Sequence, residues 1–480
     1  MKQTTKYLNP PPLERFSTLQ KIMHHGAMAA VVLLVAAVTA FYLANSSVVM
    51  KGQQLSQWYQ DFWHINVGVV INDRVISKSL HHLINDGLMS IFFFFVGLEI
   101  KREMLVGELA SFRQALLPIV AAIGGMVCPA GIYTLINWGG DAAGGWGIPM
   151  ATDIAFAAGV LGLLSKRVPS GLAVFLIALA IVDDLGSVCV IALFYTETIA
   201  MRPLIVGIAM ICLSFLLSRI GVRNAWVFIL MAVVIWIEFF HSGVHATIAG
   251  VLYAFTVPAN ARYETPLFID RITELLRRFR NAEDYVNPLL VTSRQQRVVR
   301  AVEIECIHVE APLQRMEHKL HPICAFIIMP LFAFANSGVQ IDFSHIGEVF
   351  NQRVTYGIIL GLLAGKQIGI ISACWIAVKS GLTELPQGVR WIQLYGVSWL
   401  AGIGFTMSLF IGSLAFPLGG HTGHGGATEA ATHMLGLISG AKIGTLSASI
   451  IAGIVGTCIL FFAASKGPNT EIDEHQIHNQ

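Results

Sequence analysis

The stretch FLIALAIVDDLGSVCVIALF, residues 175–194, is almost entirely apolar but carries Asp183 and Asp184 side by side near its middle. A helix of this length is long enough to cross the hydrocarbon core of a bilayer, which is about 30 Å thick. A charged side chain at the centre of such a helix costs about 2.5–3.5 kcal/mol even on insertion scales. The stretch therefore predicts a membrane helix whose two carboxylates have a function that offsets this cost.

The composition extends this interpretation to the whole chain. Of its 480 residues 55% are hydrophobic and 12% are charged, and the mean hydropathy is +0.66. These values predict an all-α polytopic membrane protein. The net charge of +2 is too small to indicate a nucleic-acid partner. The seven cysteines show no spacing typical of a disulfide framework or a metal site, so no cofactor is predicted.

Twelve apolar spans are predicted along the chain, and the first is interpreted as an uncleaved membrane helix. Lys and Arg are concentrated at the N-terminus and in every second loop. By the positive-inside rule, both termini are expected in the cytoplasm. The spans lie near residues 26–45, 80–100, 114–136, 149–165, 170–195, 203–218, 225–240, 243–257, 320–340, 355–378, 392–415 and 443–463.

Two segments are predicted to lie outside the membrane. Residues 65–77, INVGVVINDRVIS, are rich in Val and Ile around Asn72-Asp73, which predicts a small external β-hairpin. A lone hairpin is marginal in water, so it is expected to pair with the hairpin of a second copy and form a homodimer. Residues 259–319 are dense in charges of both signs. They are interpreted as a cytoplasmic loop, either partly helical and solvated or regulatory.

Four charged residues lie deep inside predicted spans: Asp153, Asp183, Asp184 and Lys366. Lys366 is too far from either end of its span to reach the interface, so it needs an anionic partner. Neighbouring helix residues point about 100° apart. One of the paired aspartates is therefore expected to contact Lys366 while the other faces a cavity. A purely structural salt bridge is the alternative, but three carboxylates against one ammonium leave excess negative charge, which predicts a site for Na⁺ or H⁺.

Two spans are expected to be interrupted helices. The span 149–165 begins with Pro149 and carries Thr152 and Asp153 early. Such segments occupy the middle of two three-helix groups, 114–195 and 355–463, a pattern typical of inverted repeats with a binding site at the crossing. Close helix packing is the alternative explanation for the glycines. The other interrupted span, 392–415, contains Gly402, Gly404, Thr406 and Ser408.

Several motifs carry a resemblance to a known family, and the similarity extends from the first span to the last. The chain is similar to the NhaA-type sodium/proton antiporters of bacterial inner membranes. The resemblance implies twelve helices with inverted repeats and two unwound helices that cross. The motifs are VGLEIKREMLVGEL (96–109), ATDIAFA (151–157), ALAIVDDLG (178–186), SGVHATIAG (242–250), LHPICAFIIMPLFAFANSGV (320–339), GLLAGKQIGI (361–370) and GIGFTMSLFIGSLAF (402–416).

The resemblance also implies roles for individual residues. Asp183 and Asp184 match the ion- and proton-binding pair, and Lys366 matches the lysine that pairs with the first aspartate. Thr152 and Asp153 match positions on an unwound helix and are further candidates for ion or proton binding. A crossing of broken helices brings partial charges of both signs together, and Asp153 and Lys366 are expected to compensate them. The positions that match residues linked to pH response are Glu99, Glu103, Glu317 and His245, although for His245 a polar residue satisfied at a helix end is an equal alternative.

The function implied by the resemblance is transport and not enzymatic catalysis. Cytoplasmic Na⁺ or Li⁺ is expected to leave in exchange for external H⁺, electrogenically and under pH control, across the bacterial inner membrane. The resemblance also implies a homodimer that forms through the external hairpin. Residues 259–319 appear longer than the corresponding loop of the family, so the pH control is expected to differ there.

Two rival function classes fit parts of the pattern. An intramembrane aspartic protease needs two helix-borne aspartates, which Asp153 and Asp183 provide. However, the chain has no GxGD motif, and Lys366 would keep the carboxylates from sharing a proton. A sodium-coupled symporter of an organic solute also uses crossed helices, but it needs a larger polar or aromatic pocket than these spans indicate.

Overall fold

The computed structural model describes ten ranges of the chain, and they are mostly helical with two small antiparallel sheets. The chain is therefore a helical protein, as the sequence predicted. The basic N-terminal residues that support the predicted orientation lie outside the described residues, as does the C-terminus. The described ranges are 26–50, 52–71, 74–164, 167–196, 199–222, 225–260, 265–281, 293–340, 346–416 and 427–464.

The chain divides into two compact units. The first comprises Met1–Asn85, Glu108–Tyr195 and Met329–Gln480. The second comprises Asp86–Gly107 and Thr196–Ile328. All the deep charges singled out in the sequence belong to the first unit, whereas Glu99, Glu103, Glu317 and His245 belong to the second.

The helices of the first unit range in length from the four residues of Leu80–Leu83 to the 38 residues of Ala427–Ala464. Short segments of other helical types adjoin some of them. A 3-10 helix, Ala143–Met150, precedes the helix that begins at Ile154, and a π-helix, Gly361–Gly365, lies between the helix that ends at Leu360 and the one that begins at Lys366. The helices are α1 (Gly26–Asn45), α2 (Leu55–His64), α3 (Leu80–Leu83), α5 (Phe112–Ile136), α6 (Ile154–Leu163), α7 (Ser170–Phe194), α14 (Met329–Asn336), α15 (Ile346–Phe350), α16 (Arg353–Leu360), α17 (Lys366–Lys379), α18 (Trp391–Ala401), α19 (Phe405–Ala415) and α20 (Ala427–Ala464).

Helices α5 and α17 pack with their backbones in close approach. A Cβ placed on Gly369 would lie 2.1 Å from the carbonyl oxygen of Gly124, and one on Gly365 would lie 2.6 Å from the Cα of Pro129. Small residues permit this approach in membrane helices, where dispersion contacts replace the hydrophobic driving force. The packing fixes the start of α17, and therefore the position of Lys366.

The second unit holds the remaining helices and the charged segment. A π-helix, Ile84–Leu88, precedes the helix that begins at Met89, and a second one, Cys324–Ile328, follows the helix that ends at Ile323. Asn85 of the first π-helix still belongs to the first unit, where its side-chain oxygen accepts a hydrogen bond from the side-chain amide of Asn336 at 2.8 Å; both residues are buried. The helices of the second unit are α4 (Met89–Val106), α8 (Met201–Ile220), α9 (Ala225–Ser242), α10 (Ala246–Ala254), α11 (Thr265–Asn281), α12 (Ser293–Val309) and α13 (Pro312–Ile323).

Within the described residues, nine helical stretches are long and apolar enough to cross a membrane, and a tenth is formed if the bent pair α18 and α19 counts as one span. Two of the twelve predicted spans, 225–240 and 243–257, correspond to α9 and α10, which do not reach that length. The count of twelve remains a prediction.

Three predicted boundaries are wrong, in each case because a polar or glycine-rich sequence continues a helix. The span predicted to open at Pro149 begins at Ala143, since the glycines before Pro149 form the 3-10 turn. The span predicted from 320 begins at Pro312, because Pro is well tolerated in the first turn of a helix. The last span, predicted from 443, belongs to a helix that starts at Ala427.

The predicted hairpin is present, but its strands extend beyond the predicted end. Strand β3 (Asn66–Ile71) pairs antiparallel with β4 (Arg74–Ser79), with Asn66 opposite Ser79 and Ile71 opposite Arg74. The pairing continues past Ser77 because Ser79 ends the strand and caps α3 through its hydroxyl. Asn72-Asp73, predicted to form the turn, lie outside the described residues. A second, smaller antiparallel pair is formed by β1 (Val49–Met50) and β2 (Gln53–Gln54).

The charged segment 259–319 contains two helices, α11 and α12. Arg271 of α11 lies 3.0 Å from Glu305 of α12, so an ion pair joins the two helices. Glu274 lies between 2.8 and 2.9 Å from Arg277 and Arg278 on the same helix, and these bonds lower the pKa of its exposed carboxyl. Residues 312–319, predicted to end the loop, are the first turns of α13.

Candidate ion-exchange site

The structure brings Lys366 of α17 and Asp183 of α7 together in a fully buried ion pair. Lys366 Nζ donates to Asp183 Oδ2, and both side chains are 0% exposed. Lys366 Nζ also donates to Thr152 Oγ1 at 2.9 Å. Because an unpaired charge in this interior would cost several kcal/mol, each of the two ionic groups depends on the other.

Thr152 links this pair to the helix break at the end of α18. Its Oγ1 lies 2.6 Å from Asp183 Oδ2 and 2.8 Å from the carbonyl oxygen of Ala401, so its single proton has two acceptors within reach. Ala401 is the last residue of α18, where carbonyl groups lack partners in the helix and carry partial negative charge. Thr152 therefore connects the carboxylate of α7 with the negative end of a half-helix.

Asp153 caps two helices at once. Its Oδ1 accepts from the backbone N–H of Phe156 in α6 at 3.0 Å. Its Oδ2 accepts from the backbone N–H of Thr406 in α19 at 3.1 Å and from Thr406 Oγ1 at 2.5 Å. Helix N-termini carry partial positive charge, so one carboxylate stabilises both.

The two interrupted helices meet at their breaks. The backbone N–H of Asp153 donates to the carbonyl of Ile403 at 2.7 Å, and Ser408 Oγ donates to the carbonyl of Ile148 at 2.7 Å. Helices α18 and α19 bend by 44° between Ala401 and Phe405. Each predicted residue of this segment has a position: Gly402 and Gly404 lie in the break, and Thr406 and Ser408 lie in the first turn of α19.

Glycine is required at the break because segments of the chain approach each other closely there. A Cβ on Gly402 would lie 2.8 Å from the carbonyl oxygen of Leu362, and one on Gly404 would lie 2.2 Å from Ser408 Oγ. The first N–H of α19, that of Phe405, donates to Ser449 Oγ of α20 at 3.1 Å. A side chain at Gly402 would displace the backbone of Leu362, and one at Gly404 would displace the Ser408 hydroxyl from its bond to Ile148.

Asp184 and four polar atoms without a hydrogen-bond partner complete the buried set. Asp184 is 1% exposed, and Asp183 Oδ1 has no hydrogen-bond partner. Ser187 Oγ and both amide atoms of Gln367 are also buried without a hydrogen-bond partner. Sequence reasoning did not identify Ser187 or Gln367, although a glutamine directly after a mid-membrane lysine was a signal that could have been used.

A separate charged cluster lies in the second unit. Arg102 of α4 contacts Glu103 at 2.7 Å and Glu317 of α13 at 2.8 Å. Glu99, one turn before Glu103, is close enough to interact electrostatically with Arg102 and Glu317. The structure therefore brings together the three glutamates that the resemblance linked to pH response.

His245 lies at a helix end. It precedes α10, and its carbonyl accepts from the backbone N–H of Ile248 at 3.0 Å. This is the location that the alternative interpretation required.

The donor set of the first unit suits a hard cation. Carboxylate, hydroxyl and backbone carbonyl oxygens are the ligands that such cations prefer. In the part of the chain that the structure describes, no cluster of three His, Cys, Asp or Glu side chains has the arrangement of a resident metal site.

Comparison with known proteins identifies the family of this chain. The family model described as Na+/H+ antiporter 1 matches residues 20–460. The chain is 44% identical to Na(+)/H(+) antiporter NhaA 1 of Saccharophagus degradans over 93% of this chain and 90% of that protein. It is 43% identical to the NhaA antiporter of Koribacter versatilis over 95% and 92%, and 47% identical to that of Syntrophobacter fumaroxidans over 85% and 84%. The chain belongs to the Na+/H+ antiporter 1 family.

Proposed function

We propose that this protein exchanges cytoplasmic Na⁺ or Li⁺ for external H⁺ across the bacterial inner membrane. The observation that carries the proposal is the buried set of Asp183, Asp184 and Lys366, each at most 1% exposed. Two adjacent carboxylates with one ammonium have an excess of negative charge, and a protein interior tolerates that excess only if a cation or a proton neutralises it. The printed names of the relatives support the same exchange.

Competition between the two substrates explains the exchange. A cation and a proton cannot occupy the same carboxylate oxygens together, so loading one releases the other. Lys366 holds Asp183 in its charged form when the site is empty, through the contact that the two side chains make. Whether the protons travel on both aspartates or on one aspartate and Lys366 determines the stoichiometry. More than one proton per cation makes the transport electrogenic.

Alternating access is proposed to involve the two breaks. In this proposal, the chain forms one antiporter domain of twelve membrane helices in inverted repeats, with both termini cytoplasmic and the two interrupted helices crossing. The bonds between Asp153, Thr406 and Ile403 support this arrangement, because they join the breaks through hydrogen bonds that can be exchanged for others. Movement of one half-helix would then change which side of the membrane the carboxylates face.

The charged cluster of the second unit is proposed to adjust activity to pH. Arg102 neutralises part of the charge of Glu103 and Glu317, so protonation of a glutamate changes the balance of the cluster. His245 and the helices α11 and α12 are further candidates for this control. The long charged segment distinguishes this chain from the loop that the family resemblance implied.

The strands β3 and β4 are proposed to join two copies of the chain. Their two-stranded sheet is open at both edges among the described residues. An open edge exposes unpaired backbone groups that pair readily with another strand. A symmetric pairing of two hairpins would give a four-stranded sheet across a two-fold axis.

The experiment that tests the exchange uses everted membrane vesicles with a respiration-generated pH gradient. Addition of Na⁺ or Li⁺ should collapse the gradient, and K⁺ serves as the comparison cation. In proteoliposomes, an imposed membrane potential should change the exchange rate if transport is electrogenic. A wild-type protein that is inserted and folded but releases no protons on addition of either cation would contradict the proposal.

A further inference from the structure

Ser187 lies on the same helix as the aspartate pair and is fully buried. It follows Asp183 by four residues and Asp184 by three, and its side chain is 0% exposed. On an α-helix these offsets place it one turn from both aspartates, at about 40° from the direction of Asp183. Its direction therefore falls between those of the two carboxylates.

The hydroxyl of Ser187 has no hydrogen-bond partner. Two other buried serines on helices use a carbonyl of their own helix: Ser242 Oγ donates to Phe239 at 2.7 Å, and Ser398 Oγ donates to Tyr395 at 2.7 Å. A buried hydroxyl that is left unsatisfied costs free energy. Ser187 makes no such bond, so its oxygen is left for another partner.

A second orphaned oxygen lies one turn away. Asp183 Oδ2 binds Lys366 and Thr152, but Asp183 Oδ1 has no hydrogen-bond partner. Helix α7 thus presents an unengaged carboxylate oxygen and an unengaged hydroxyl on one stripe, with Asp184 beside them. Oxygen atoms without hydrogen-bond donors are the ligands available to a hard cation.

We propose that Ser187 Oγ is a neutral ligand of the transported cation, beside the carboxylates of Asp183 and Asp184. This inference rests on the proposed function. A neutral hydroxyl coordinates Na⁺ or Li⁺ but does not take up the competing proton at physiological pH. Ser187 therefore favours the cation in the competition without adding a titrating group.

The test compares Ser187→Ala with the wild type in everted vesicles, using NaCl and LiCl as the probes. The apparent KM for Na⁺ should rise about tenfold, which corresponds to the loss of a ligand worth about 1.4 kcal/mol. The maximal rate at saturating cation and the pH profile measured there should change little, because the proton-binding groups are intact. A role in packing alone would lower the amount or the maximal rate of the protein and leave KM unchanged.

Two further variants and a control keep the test decisive. Ser187→Thr retains the oxygen and should keep KM near the wild-type value, whereas Ser187→Cys matches the shape but offers a soft sulfur atom and should raise KM as alanine does. Ser214→Ala removes another serine that is 0% exposed, in the second unit, and should leave KM unchanged.

An unchanged KM for both Na⁺ and Li⁺ in Ser187→Ala and Ser187→Cys would overturn the proposal. If Ser187→Ala does not insert, the cysteine variant decides alone, and Li⁺ binding measured by calorimetry in detergent provides a second reading. Failure of the proposed function itself is distinguishable, because the wild type would then show no cation-driven proton release.

Discussion

The two charge clusters of this molecule differ in their access to water. This difference fits the different roles proposed for them. In the first unit Lys366 and Asp183 are both 0% exposed. In the second unit the side chain of Arg102 is 30% exposed and that of Glu317 is 17% exposed. A fully buried pair must be satisfied inside the protein, whereas a partly hydrated pair retains much of its solvation. The first arrangement is suited to holding a cargo ion, and the second to sensing the solution.

The number of partners differs as well. Lys366 contacts Asp183 and Thr152, while Asp184 is a further carboxylate on the same helix, so the charge of the first cluster is incomplete without a cation or proton. Arg102 lies between Glu103 and Glu317, and Glu99 is near them. Water reaches this second cluster, so its excess negative charge costs less. Substitutions should therefore change cation exchange and stability strongly in the first cluster and weakly in the second.

The largest expected effect is the loss of exchange in Asp184→Asn and in Asp183→Asn. Each variant keeps the size of the side chain but removes a negative charge that the cation requires. Na⁺-driven proton release should fall to the background of empty vesicles, while the amount of inserted protein is unchanged. Near-normal exchange by Asp184→Asn would show that the cation binds elsewhere.

The next effect is on stability and concerns Lys366→Ala. The variant leaves Asp183 buried without its cation, which should lower the free energy of unfolding by on the order of 3–5 kcal/mol. Losing the positive charge also favours the protonated carboxyl of Asp183, so half-maximal exchange should move to more alkaline pH. Thermal unfolding in detergent and a pH series in vesicles measure the two effects.

A matched control exists on the same helix. Lys379 ends α17 and lies 4.4 Å over the ring of Trp375, so Lys379→Ala removes a lysine that is not buried with a carboxylate. This variant should change stability by less than about 1 kcal/mol and leave the pH profile in place. If the two substitutions changed stability and the pH profile equally, or if Lys366→Ala changed neither, burial of the charge would not explain the expected difference between the two lysines.

A smaller effect is expected from Asp153→Asn. The amide offers one acceptor oxygen, so it can cap α6 or α19 but not both as the carboxylate does. The loss of one cap should cost about 1 kcal/mol and slow exchange without abolishing it. Thr406→Val removes only the hydroxyl that donates to Asp153 and should have a weaker effect on both measurements. A loss as complete as that of Asp184→Asn would indicate that Asp153 itself binds the cation.

The deep charges could be identified from the sequence because hydrocarbon makes them costly and therefore rare. Lys366 had so few anionic candidates within the spans that its contact with an aspartate followed from depth alone. The break at Asp153 was indicated by Pro149 and the polar pair after it, but its start at Ala143 was not, since a 3-10 turn of glycines has no apolar period. Ser187 and Gln367 were missed because their significance is the absence of a hydrogen bond, which only the packed structure reveals.

In the second cluster, Arg102→Ala should change the pH dependence more than the rate. The pair with Glu317 is partly exposed, so its loss should alter stability by at most about 1 kcal/mol. Removing the arginine takes positive charge away from the glutamates beside it, and the pH of half-maximal exchange should rise while the rate at the optimum stays within about twofold. The control is Arg219→Ala, which removes an arginine that lies 5.2 Å over the ring of Phe215 near the end of α8 and should leave both quantities unchanged. A large loss of maximal rate from Arg102→Ala would place this cluster on the transport path.

The smallest effect on exchange is expected from deletion of residues 66–79, because the hairpin lies far along the chain from every residue of the buried site. Six residues of β3 pair with six of β4, which is too little structure to be stable alone in water, and pairing with a second copy would stabilise both. The deletion, closed by a short glycine linker, should therefore run as a monomer in mild detergent and still exchange Na⁺ for H⁺ at close to the wild-type rate. Light scattering after size-exclusion chromatography gives the mass, and vesicles give the rate. A deletion variant that stays dimeric would assign the interface to helices or lipid, and one that is monomeric but inactive would show that the buried site needs the second copy.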